Sequence, residues 1–112
     1  MDAQARLREG LERLRRDYLA HLPGKAAAIS ADWTRALSGE RDAFDRLATE
    51  VHHLCGTGAT FGFPEVSAVA GEIEALLIDG PDAARARAAQ VGPLVDRLSA
   101  IAAAGASEGE GR

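Results

Sequence analysis

Apolar residues recur at alternating spacings of three and four along almost the whole chain, and prolines and glycines cut that rhythm into helix-length pieces. A period near 3.6 residues specifies amphipathic helices, each of which must bury one face against the others. Composition agrees, since 24 alanines stand against five valines, four isoleucines and four threonines, a balance that favours helix over strand. A chain of 112 residues supports one core, and with only five aromatic residues that core has to be aliphatic.

The first piece, about Asp2 to His21, carries Leu7, Leu11, Leu14 and Tyr18 on one face, with Arg6, Arg8, Arg13, Arg15 and Arg16 largely off it. Leu22-Pro23-Gly24 is expected to end it. A second helix then runs from about Pro23 to Leu37 on Ala26, Ile29, Trp33 and Leu37, closed by Ser38-Gly39. The third, about Glu40 to Phe61, has the most regular seam: Phe44, Leu47, Val51, Leu54, Gly58 and Phe61. Gly62-Phe63-Pro64 breaks it, and Pro64 suits the first turn of a fourth helix striped by Val66, Val69, Ala70, Ile73, Leu76 and Leu77.

A fifth helix starts at Pro81 or Asp82 and carries Ala84, Ala88, Val91, Leu94, Val95, Leu98 and Ile101, with a kink expected at Gly92-Pro93. From Gly105 the apolar pattern stops, which reads as a disordered tail over 105–112. Short connections force neighbouring helices to run antiparallel. The expected fold is all-α: an antiparallel up-down four-helix bundle with an additional N-terminal helix, occupying residues 1–104.

Several function classes drop out. No apolar run approaches the roughly 18 to 20 residues that span a bilayer, and the polar start Met1-Asp2-Ala3-Gln4 lacks a secretory core, so a cytoplasmic protein is expected. One cysteine excludes an internal disulfide and a multi-cysteine zinc module. A net charge of −4 with no basic cluster argues against nucleic acid. There is no Gly-rich phosphate loop or Walker-type motif, so no ATP-dependent kinase activity is expected.

Two of the three histidines are adjacent in the most regular helix, in Val51-His52-His53-Leu54-Cys55-Gly56-Thr57. At about 100° per residue they fall on opposite flanks of the apolar stripe, so both should reach solvent. The wheel does not choose between them. Their neighbours differ, however. His52 shares its face with Ala48, Cys55, Gly56 and Ala59, all small, whereas His53 has Thr49, Glu50 and Thr57. A glycine inside a helix costs about 1 kcal/mol against alanine. Close helix contact explains Gly58 on the seam but fits Gly56, beneath His52, less well. A histidine over a shaved patch is open to a docking protein.

The string His52-His53-Leu54-Cys55-Gly56-Thr57-Gly58-Ala59-Thr60-Phe61-Gly62-Phe63 resembles the signature of histidine-containing phosphotransfer (Hpt) domains. The pattern His-x-Leu-x-Gly, a hydroxyl residue and a small-residue turn before Phe-Gly carry the resemblance, over about Leu47 to Leu77. It implies a phosphoacceptor at His52, with His53 on a variable position. Gly56 would leave room for the phosphoryl group and the incoming receiver domain, and Thr57 would supply the motif hydroxyl. Cys55 stands where the family commonly has lysine, which removes a nearby positive charge.

The resemblance further implies a relay between aspartates of response-regulator receiver domains, with a hybrid histidine kinase as a second kind of partner. A neutral imidazole attacks the phosphorus of an aspartyl phosphate, a role that suits a side chain titrating near neutrality. No cofactor is expected on this chain, Mg²⁺ belonging to the receiver, and a monomer is expected. A metal site is the first rival. Glu50-x-x-His53 matches half of a di-iron pattern without its second copy, and His52 with Cys55 gives only two zinc ligands. The alternative from another class is a non-phosphorylated helical adaptor that binds receiver or kinase domains.

Overall fold

The computed structural model describes residues 2–110, and the side chains of residues 2–105. Five helices run in order along the chain: α1 (Ala3–Leu37), α2 (Arg41–Thr57), α3 (Pro64–Leu77), α4 (Pro81–Ala86) and α5 (Ala88–Glu110). No strand occurs among the described residues, and no helix among them is long and apolar enough to cross a membrane. Helices α1, α2, α3 and α5 pack in a ring, each against two neighbours, as the expected up-down bundle requires. Leu22, Ile29, Leu47, Leu54, Ile73 and Leu98 form its fully buried centre.

The two N-terminal helices expected on either side of Pro23 are one helix of 35 residues. Proline in a helix interior costs about 3 kcal/mol, yet Leu22, Ala26, Ile29, Trp33 and Ala36 are all buried on a single stripe that passes Pro23 without losing phase. Burying each large apolar side chain contributes about 1.5–3 kcal/mol, so the stripe outweighs the local signal. The stripe closes on Ala36 rather than Leu37, which is 42% exposed. The additional N-terminal helix therefore exists as the first half of α1, capped by Asp2, whose Oδ1 accepts from the Ala5 amide at 2.7 Å.

The fifth helix, expected to run from Pro81 or Asp82 with a kink at Gly92-Pro93, is divided earlier. Pro93 lies inside α5, and the interruption is at Arg87, between α4 and α5. Arg87 adopts φ −99° and ψ 18°, outside the helical range, and its guanidinium donates to the Leu76 carbonyl and to Asp79. That anchoring to the end of α3 sets the corner, which a reading of local helix breakers does not see. At the C-terminus the α5 backbone continues past Gly105 to Glu110, where the sequence pattern predicts a tail, and 111–112 lie outside the described residues. Gly105 sits against α1: a Cβ there would meet Leu19 Cδ1 at 2.8 Å.

The α2–α3 corner fixes how those two helices meet. Gly58 is buried where a Cβ would come within 2.7 Å of the Ser67 backbone nitrogen and 3.0 Å of the Phe63 carbonyl oxygen. Backbone, not a flexible side chain, stands in the way. Gly62 turns the chain with φ +91°, a conformation glycine adopts without strain. Gly58→Ala should therefore lower stability by about 1–3 kcal/mol, read as a lower thermal midpoint.

Candidate functional site

His52 projects from the middle of α2 with its side chain 78% exposed. Its Nδ1 lies 2.5 Å from Oε2 of Glu74 on α3. A carboxylate accepts only, so the neutral ring carries its proton on Nδ1 and donates it to Glu74. Nε2 is then the nitrogen with a free lone pair, on a ring that stands in solvent. Among the described residues no group of three or more His, Cys, Asp and Glu is placed to hold a metal ion.

Helices α2 and α3 run antiparallel, which is what brings Glu74 to His52. Cys55 faces Gly71, where a Cβ would sit 3.4 Å from Sγ. Three residues back along α2 and three forward along α3 is the pair His52 and Glu74. Sequence reasoning does not single out Glu74. Its signal lies 22 positions away and needs the register of the hairpin, though the seam and the Pro64 start could have supplied that register.

The small residues around His52 divide. Ala48 and Cys55 are half-buried and pack against the core, one turn to either side of the ring. Gly56 is exposed, and a Cβ built there meets nothing within 4 Å. No neighbour among the described residues explains why that position is a glycine. Ala59 is exposed just past the end of α2, and its amide donates to Ser67 Oγ at 2.6 Å. Beside Ala48 and Glu74, the small residues Gly71 and Ala75 floor an open apolar trough between α2 and α3, with Ile78, 78% exposed, beyond them. The smooth surface thus extends along both helices, further than α2 alone indicates.

Thr57 is elsewhere. Its hydroxyl donates to the His53 carbonyl at 2.9 Å, and the Tyr18 hydroxyl of α1 lies 3.1 Å from Thr57 Oγ1. Burial pushes the Tyr18 phenol above its ordinary range, with the Thr57 contact pulling the other way, so it remains a donor at neutral pH. Tyr18 also stacks on Phe61 and Phe63, and Arg15 lies over the Phe63 ring. The motif's hydroxyl and aromatics therefore join α1 to the α2–α3 corner and do not line His52. His53 is exposed on the other flank of α2. The third histidine, His21, places Nδ1 2.7 Å from the Asp17 carbonyl oxygen in its own helix.

The family model described as Hpt domain matches residues 4–104, nearly the whole chain. Comparison with curated proteins and with solved structures returned no significant match.

Proposed function

Because this chain belongs to the Hpt domain family, whose members serve phosphotransfer in phosphorelays and need no cofactor of their own, we propose that His52 is its phosphoacceptor. The observation that carries this reading is the exposed imidazole whose Nδ1–H is held by Glu74, leaving Nε2 available above small residues. The partners are receiver domains of response regulators and a hybrid histidine kinase, met in the cytoplasm by a monomer. Ala48, Cys55, Gly56 and Ala59, with the trough beside them, form the surface on which a receiver settles.

Transfer needs little from this side. The Nε2 lone pair attacks the phosphorus of a receiver's aspartyl phosphate. An N–P bond forms, the acyl P–O bond breaks, and the aspartate leaves as a carboxylate. The ring gains positive charge as the bond forms, and the Glu74 carboxylate on Nδ1–H stabilises that charge while fixing the tautomer, as a carboxylate orients histidine in other nucleophilic sites. Glu74 is a positioning residue, and it supplies a fixed negative charge close to the ring where the family's common lysine is replaced by Cys55. Passing the group onward reverses the same bonds.

Two measurements test this. Incubated with a receiver domain carrying labelled aspartyl phosphate and Mg²⁺, the chain should acquire acid-labile, base-stable label; no label from any receiver tested would favour the adaptor instead. Glu74→Ala should slow transfer about 10- to 100-fold, by analogy with the loss when a carboxylate orienting a metal-bound histidine is removed. Glu74→Gln, which still offers an oxygen to Nδ1–H, should slow it less. Equal loss in both, matched by a fall in melting temperature, would mean that Glu74 serves the fold alone.

A further inference from the structure

The first half of α1 stands apart from the bundle. Every buried residue of α1 lies at or beyond Leu22. Leu7, Leu11 and Leu14 are 64%, 57% and 51% exposed. The 35 residues of α1 span about 52 Å at 1.5 Å each, in keeping with a molecule 55 Å long but only 25 by 20 Å across. Residues 3–17 therefore form an arm of about 22 Å, bearing a leucine ridge that no described residue covers.

The ridge has a mainly basic rim. At about 100° per residue, Arg8 and Arg15 flank the leucines on one side and Arg6 on the other, with Arg13 beyond Arg6 and Glu12 as far round beyond Arg8, while Glu9 points to the back. Asp17, at the base, is the acid nearest the leucines. Arg15 is held over Phe63, but among the described residues none of the arm's arginines forms an ion pair. Arginines beside apolar surface, uncommitted within the molecule, suit carboxylates brought by something else.

A second copy uses the rim less well. Antiparallel pairing of two ridges sets Arg8 against Arg15 of the other copy on one flank and Arg6 against Asp17 on the other, whereas acids on a partner would meet all four flanking arginines. We infer that the arm is a docking ridge for an amphipathic helix of another protein, one with an apolar seam flanked by Asp or Glu. The arm lies on α1, past the α2–α3 corner, and the inference does not depend on phosphate transfer at His52.

The test uses the full chain and two synthetic helical peptides with the same leucine seam, one flanked by Glu and one by Lys. Fluorescence anisotropy should show the Glu-flanked peptide binding at least tenfold tighter at low salt, with the difference shrinking as salt rises. Leu7→Ser/Leu11→Ser/Leu14→Ser should abolish binding, and Arg6→Glu/Arg8→Glu/Arg13→Glu should remove the preference, both with an unchanged thermal midpoint because these side chains are exposed. Equal affinity for both peptides, or none for either, overturns the proposal. So does a concentration-dependent dimer that Leu11→Ser dissociates, or binding to phosphatidylglycerol vesicles without discrimination between the peptides.

Discussion

In His52→Gln, phosphoryl transfer from a labelled receiver is expected to fall to background, whereas His53→Gln should transfer at close to the wild-type rate. The two residues are neighbours and both face solvent, so exposure does not separate them. What separates them is the partner. His52 has a carboxylate on Nδ1 and small residues about it, and His53 lies on the opposite flank of α2. Glutamine retains a polar, helix-compatible side chain, so neither change should disturb folding. With His52 as the proposed nucleophile, the effect in His52→Gln should be complete, since no other described side chain combines an exposed imidazole with a carboxylate on Nδ1. Label that survives in His52→Gln and vanishes in His53→Gln would move the site across the helix.

Gly56→Leu should give the second largest effect, a loss of transfer of a hundredfold or more in a protein that is folded at least as well. Leucine is the better helix former by about 1 kcal/mol, and beyond its own helix no described residue lies within 4 Å of the position where its Cβ would be. The side chain must then project into the space above α2 that a receiver has to occupy to reach His52. Sterically blocked docking leaves no compensating route, since displacing the histidine by about 1 Å already costs a transfer reaction much of its rate. Circular dichroism and thermal melting establish the fold, and single-turnover transfer reads the effect. Wild-type transfer in Gly56→Leu would show that the bare surface has another cause.

Much of this architecture is legible in the residues themselves. The stripes of α2, α3 and α5 are local patterns, and a local pattern survives folding unless something distant opposes it. Pro23 is where something distant does. The proline argues for an end to the helix, but the buried series through Leu22 and Ala26 keeps phase across it, and packing against the rest of the bundle prevails. Arg87 shows the converse, a corner made by side-chain hydrogen bonds to the end of α3 with no glycine or proline to announce it.

Periodicity equally could not say which apolar face finds a partner. Leu7, Leu11 and Leu14 repeat as regularly as Leu47, Val51 and Leu54, yet the first three are exposed and the last three are fully buried. At the site, His52, Ala48, Cys55 and Gly56 share one face because one helix carries them, and helical spacing reveals as much. Glu74 arrives from another helix and Thr57 is drawn away toward Tyr18, both through contacts between elements.

The most direct measurement is NMR of the phosphorylated chain with ¹⁵N-labelled histidine, which reports both the residue and the ring nitrogen that bears phosphorus. A single N–P coupled signal from Nε2 of His52, with Nδ1 still protonated, is the predicted result. Phosphorus on Nδ1 of His52, on His53, or on neither would contradict a nucleophile set by the hydrogen bond to Glu74.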